Sequence, residues 1–253
     1  MRNRYPLICA DAGLQCFHNV NQTFGAQFAP TVLIGDLDSL DEAQTISGIE
    51  RFRAGGMQIV HEWIGMVDKD YTDGQLAAAY AIEEFNCAQI IIYGGLPKSN
   101  GYETDHFLGN LKLMRFGFGV FSKKLVKAVS LNQPLSPTSQ GGRIDESLSV
   151  SRNAYRAEMR DVFQTIHFVV SDLTLERKNE GLQRVSLVAA HPHVNVASSE
   201  NLRWDLAALR VDPDMDADVP STLRNEFIPD ADSAVIQLDK GSDPVYVIHN
   251  WYS

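Results

Sequence analysis

The segment DKDYTD places Asp68, Asp70 and Asp73 close together, and LIGDLDSL sets Asp36 and Asp38 two apart behind an apolar run. Carboxylates this dense repel one another unless a cation sits among them. In an extended chain the side chains of residues i and i+2 point the same way, so Asp36 and Asp38 can face one ion. With Asp70, and Asp68 or Asp73, they make a set of hard oxygen ligands. Such a set suits Mg²⁺ rather than zinc, because no Cys or suitably spaced His accompanies it. Mg²⁺ held by few protein ligands keeps positions open for phosphate oxygens. Thr72, followed three residues later by Gln75, has the form of a capping box, so a helix starts there and aims backbone N–H groups at the same place. The plain alternative is that these acids cap turns on a solvated edge. Two clusters at strand ends favour the metal.

The elements that must position these groups change in character along the chain. YPLICAD, PTVLIGD, MQIVHE and AQIIIYGG read as buried strands, each ending in Asp, Glu or Gly. Residues 73–86 read as a helix, with Ala78, Ile82 and Phe85 on one face, and a second helix runs through DHFLGNLKLMRF. This alternation predicts an α/β fold, a mostly parallel sheet with helices on both faces, whose ligands bind at the carboxyl ends of the strands. Residues 1–131 are expected to make up this α/β domain. Residues 132–160, rich in Ser, Gly, Pro and Gln, read as a linker or long loop. Residues 161–253 carry period-two segments and turn signals, which predict a small β-sandwich. Within it SAVIQLD and DPVYVIHNW are expected to form a hairpin.

Composition narrows the partners. A net charge of −10 over 253 residues argues against a grip on nucleic acid or anionic lipid. No run approaches the length of a membrane span, and Asp11 interrupts the only N-terminal apolar run too early for a signal peptide. Three cysteines without a CxxC pair suit a reducing compartment, so a cytoplasmic protein is expected.

Taken in order, CADAG (9–13), IGDLDS (34–39), DKDYTD (68–73) and TDHFLGNL (104–111) resemble the signature blocks of thiamine pyrophosphokinases, and NLRWDL (201–206) and RNEF (224–227) are similar to that family's C-terminal blocks. The resemblance implies an α/β nucleotide domain paired with a β-sandwich, working as a homodimer with thiamine held between subunits. It implies transfer of a diphosphate group from ATP to the hydroxyl of thiamine, giving thiamine diphosphate and AMP. Asp11, Asp36, Asp38, Asp68 and Asp70 would then form the acidic centre that binds Mg²⁺ and positions the hydroxyl. Thr72, Asp73, Asp105 and His106 would line the nucleotide side. Lys69 either contacts phosphate or balances its neighbours. Trp204 would stack on the thiamine pyrimidine from the partner subunit, with Asn225 also on the substrate side.

The chain departs from that pattern at named positions. Glu103 stands where the family's phosphate-facing arginine is expected, behind a longer loop that carries Lys98. Arg224 replaces a serine before Asn225, and Gln75 stands where an acid is common. GGRID, similar to the family's G-G-R-x-D-H loop, occurs at 141–145 with Arg143, inside the linker-like segment. Two other functions follow from the same residues. LIGDLDSL alone resembles the nucleophile loop of haloacid-dehalogenase phosphatases, with Asp36 phosphorylated and Asp38 as acid/base, but that leaves DKDYTD and TDHFLGNL unexplained. A binding protein that has lost catalysis through Glu103 and Arg224 is the other. HPH (191–193) reads as a strand-end turn, DPDMDAD (212–218) as a solvated turn, and Trp63 and Trp251 as packing residues.

Overall fold

The computed structural model describes residues 5–11, 13–35, 42–60, 71–96, 104–130, 152–189, 191–211 and 222–251. Contacts divide the chain into two compact units, Met1–Cys87 with Gly109–Asp145, and Ala88–Leu108 with Glu146–Ser253.

In the first unit, β1 (Ile8–Ala10), β2 (Val32–Ile34) and β3 (Gln58–Val60) pair in parallel in that order, with Ala10, Ile34 and Val60 level at their carboxyl ends. Every residue of β2 is fully buried, as a central parallel strand requires when both its faces are covered. Alternation divides the side chains between two layers. Cys9, Leu33 and Ile59 pack with Leu14 and Phe17 of α1 (Gly13–Phe24) and Ile49 and Phe52 of α2 (Glu42–Ala54). Ile8, Val32, Ile34 and Val60 pack with Leu76, Ala77 and Tyr80 of α3 (Asp73–Glu83).

α3 is shorter than its apolar spacing predicts. It ends at Glu83, and Asn86 closes the turn in the left-handed region with φ +55°. Phe85, beyond the helix, still packs into the same core and meets the Tyr80 ring at 5.8 Å. The helix meets α4 (Thr104–Ser130) near both of its ends. At one end, a Cβ on Gly74 would stand 2.6 Å from Leu113 Cδ1, so glycine sets the close approach. At the other, Lys124 Nζ donates to the carbonyls of Ile82 and Glu83 at 2.6 and 2.5 Å. A cation there satisfies acceptors that the helix leaves open and complements its dipole. Burial lowers the Lys124 pKa, and Glu83 and Glu84 oppose that shift.

The second unit is built from two sheets. One is antiparallel, in the order β10 (Arg210–Val211), β9 (Val194–Glu200), β12 (Ser233–Leu238), β7 (Asp172–Glu176). The other runs β11 (Thr222–Glu226), β8 (Gln183–Ala189), β13 (Val245–Trp251), β6 (Gln164–Val169), β5 (Arg156–Arg160), β4 (Gln89–Tyr93). Leu175, Val196 and Ile236 of the first sheet share one buried cluster with Val185, Leu187 and Val247 of the second, which makes a β-sandwich.

Two expectations are corrected here. SAVIQLD and DPVYVIHNW do not form a hairpin. β12 pairs with β7 and β9 while β13 pairs with β6 and β8, so the turn between them carries the chain from one layer to the other. The fourth apolar run does not extend the parallel sheet of the first unit either. β4 pairs in parallel with β5 at the end of the sandwich's larger sheet. There Ile91 and Tyr93 are exposed, which an edge strand tolerates and a buried one would not. Of the segment expected to be a linker, residues 132–151 lie outside the described residues, and β5 begins at Arg156. No helix among the described residues is long and apolar enough to cross a membrane.

Candidate functional site

The carboxyl ends of β1 and β2 are drawn together around Asp11. This residue leaves β1 with φ +42°, a left-handed conformation that aspartate tolerates better than most side chains. Its N–H donates to the Ile34 carbonyl at 2.8 Å and its carbonyl accepts from the Leu14 N–H at 3.1 Å, so the backbone is fixed between β2 and the first turn of α1. The side chain is only 6% exposed, and Oδ1 is buried with no hydrogen-bond partner among the described residues. A buried carboxylate oxygen without a donor is costly, and a cation beside it removes the cost. Gly35 makes the arrangement feasible. A Cβ there would stand 2.9 Å from the Asp11 Cβ, and its φ of +145° also favours glycine. The next residue in the chain is Asp36.

Asp36, Asp38, Asp68, Lys69 and Asp70 lie outside the described residues, as do Lys98, Glu103, Arg143, Trp63 and DPDMDAD. Among the described residues no three His, Cys, Asp or Glu side chains gather as a metal site. Asp11 is therefore the one described member of the expected acidic centre.

The nucleotide-side residues begin at the N-terminus of α3. Thr72 is its N-cap: Thr72 Oγ1 accepts from the Gln75 N–H at 3.3 Å, and Gln75 Oε1 accepts from the Thr72 N–H at 2.9 Å. The reciprocal box forms with Gln in place of an acid because the amide oxygen is acceptor enough. Asp73 lies in the first turn, where a carboxylate complements the helix dipole. Tyr71, just before the cap, is half exposed, and its ring lies 5.1 Å from that of Phe116 on α4. Asp105 and His106 lie in the first turn of α4.

In the sandwich, Trp204 and Asn225 are joined. The Asn225 side chain is fully buried. Its Oδ1 accepts from the N–H groups of Trp204 at 3.1 Å and Glu226 at 2.9 Å, and its Nδ2 donates to the Trp204 carbonyl at 2.7 Å. The amide is spent on the backbone that carries Trp204, which makes Asn225 a positioning residue. Trp204 itself is 50% exposed. The Arg203 guanidinium lies over its ring, 4.9 Å from the centroid, and Arg203 Nη1 is 3.1 Å from Glu226 Oε2. Nothing in periodicity or spacing pointed to Arg203, Glu226 or Gly35. The only sequence signal was their adjacency to Trp204, Asn225 and Asp36.

His249 is buried, its Nε2 is 3.0 Å from Gln183 Oε1, and its ring stacks on Phe227 at 5.2 Å. Burial, then the charges of His167, Lys178 and Arg177, press its pKa down to about 4. His167 is likewise lowered to about 4 by burial, against the pull of Glu158, whose Oε2 is 3.7 Å away. Burial pushes the Cys9 thiol up to about 12, with Cys16 adding to the shift, and Cys9, Cys16 and Cys87 are all free. Trp251 donates from Nε1 to the Val162 carbonyl at 2.9 Å and packs on His249.

Comparison with known proteins bears on this geometry. Residues 1–121 match the family model described as "Thiamin pyrophosphokinase, catalytic domain". No curated protein sequence matches the chain. Among solved structures it is similar to a thiamin pyrophosphokinase family protein from Enterococcus faecalis (18% identity, 97% of this chain and 88% of that one, TM-score 0.62). It is similar as well to the thiamin pyrophosphokinase of Geobacillus thermodenitrificans (16%, 100% and 89%, TM-score 0.63) and to that of Bacillus subtilis (19%, 100% and 91%, TM-score 0.59). At these identities the likeness is one of fold. The first 121 residues are thus similar to the catalytic domain of thiamin pyrophosphokinases, and the chain shares the fold of these solved structures.

Proposed function

We propose that the chain is a thiamine diphosphokinase: it transfers a diphosphate group from ATP to the hydroxyl of thiamine and releases AMP. The observation that carries this is the buried carboxylate oxygen of Asp11, which has no partner among the described residues, at the joined carboxyl ends of two parallel strands within the region matched to the catalytic domain. Open α/β sheets take their ligands at that edge.

An oxygen-only donor set, with one Asp11 oxygen unpartnered among the described residues, fits Mg²⁺. Asp36, Asp38 and Asp70 are the residues assigned to hold it, with Asp11 and Asp68 completing the acidic centre. The bound ion supplies neutralisation of phosphate charge. The chain's own part is positioning, which is what phosphoryl-type transfer most needs. The carboxylates orient the attacking hydroxyl and accept its proton. The amides at the start of α3, set by the Thr72 cap, together with Lys69, Asp73, Asp105 and His106, face the nucleotide. Trp204 offers an aromatic face to the flat cationic substrate, and Asn225 fixes that face in place. Homodimeric assembly, with Trp204 reaching the partner's centre, and a cytoplasmic location belong to the same proposal.

The test is incubation with ATP, Mg²⁺ and thiamine. AMP and thiamine diphosphate in equal amounts are expected. ADP or free phosphate instead would move the chain to another reaction class, and thiamine binding without turnover would leave a binding protein.

A further inference from the structure

Among the described residues, Arg184, Arg203 and Arg224 gather around Glu226, next to the Asn225 side chain that holds the Trp204 backbone. Arg203 covers part of the Trp204 ring and is paired with one oxygen of Glu226. Arg184 Nε lies 3.9 Å from the other oxygen of Glu226. Arg224 stands two residues before Glu226 on β11, so its side chain leaves the strand on the same face. It is exposed and has no hydrogen-bond or ion-pair partner among the described residues. Asp205, the acid next to Trp204, is committed to Ser199 Oγ at 3.2 Å and the Ala207 N–H at 2.9 Å. Glu226 is thus shared between two guanidinium groups, and Arg224 has no counter-ion among the described residues.

The Trp204 face accepts a flat cation, but Arg203 over the same ring weakens that hold by like-charge repulsion. Thiamine brings a permanent positive charge to a ring already faced by Arg203. A flat ring tethered to an anion is better matched, since the ring can lie on Trp204 while the guanidinium forks grip the anion. Resting on the reading of this site as the acceptor site, we infer that the Trp204 platform binds the phosphorylated form of its flat ligand more tightly than the free alcohol, with Arg224 and Arg203 holding the phosphate. The product of the transfer is then retained at the platform and opposes the next round.

The test is a binding titration by tryptophan fluorescence and calorimetry on the full chain, with thiamine, thiamine diphosphate and inorganic pyrophosphate as probes. Two exposed guanidinium–phosphate contacts give thiamine diphosphate an advantage of about tenfold over thiamine. Arg224→Ser, at an exposed position, leaves the melting temperature unchanged and cuts that advantage to about threefold or less, and so does raising the salt to about 0.5 M. Pyrophosphate alone binds more weakly than thiamine diphosphate. Equal or tighter binding of thiamine, an advantage that survives Arg224→Ser, or no binding of either ring compound overturns the inference. Thiamine-dependent AMP release without the preference sinks this inference and spares the proposed function. The preference without AMP release does the reverse.

Discussion

Asn225→Ala tests whether Trp204 is held from beneath. The substitution removes one donor and one doubly used acceptor from a side chain with no solvent exposure. It leaves the N–H groups of Trp204 and Glu226 and the carbonyl of Trp204 without the partners they have at 3.1, 2.9 and 2.7 Å. Each buried backbone group left unpaired costs about 1–3 kcal/mol. Trp204 is half exposed, so water reaches part of the site and the low end applies to each group, for a total of about 3 kcal/mol. For a chain of this size that lowers the melting temperature by about 6–12 °C. Trp204→Ala, which removes an exposed ring and leaves the clamp, should cost less than about 1 kcal/mol. Both variants weaken thiamine binding. Calorimetry and circular dichroism measure the stabilities, and a fluorescence titration on Asn225→Ala measures the affinity. If Asn225→Ala is no less stable than Trp204→Ala, or binds thiamine as the parent does, Asn225 is not a positioning residue.

Other expectations rest on single features. Asp11→Asn replaces a buried charge with a neutral amide, so stability holds or rises while AMP release falls about a hundredfold, as loss of an electrostatic group in a catalytic centre does; parallel melting and turnover assays read both. Thr72→Ala breaks the capping box and costs about 1 kcal/mol in urea denaturation, with Thr72→Ser recovering most of it. His249 and His167, both near pKa 4 when folded, take up protons on unfolding as pH falls below the ordinary value of 6.5. Their contribution to stability is therefore complete above pH 6.5 and is lost toward pH 4, at up to about 1.4 kcal/mol per pH unit for each histidine. Denaturant midpoints across that range should fall, and a His249→Asn variant should fall less steeply.

Local signals foretold local structure well. The Thr72/Gln75 spacing marked the cap of α3, and the unbroken apolar runs around Ile8–Ala10 and Val32–Ile34 marked parallel strands. What could not be read was pairing across distance. AQIIIYGG has the composition of a buried parallel strand, and only its register with Arg156–Arg160 shows it at the sandwich edge. SAVIQLD and DPVYVIHNW are neighbours in sequence, yet face each other across a core, because a turn signal does not say whether it joins strands or layers. At the site, residue type named Asp11, Trp204 and Asn225. It could not tell that the amide of Asn225 faces the backbone, or that Gly35 carries the close approach to Asp11, since both depend on atoms remote in sequence.

The placement of β4 has a practical outcome. A clone starting at residue 132, the boundary that composition suggests, would carry the sandwich without the strand that covers β5. The bare N–H and C=O row of β5 would then be a template for another copy, and such fragments should precipitate or form ladders of chains. Gene fragments for this protein are better drawn to keep residues 88–108 with the C-terminal half.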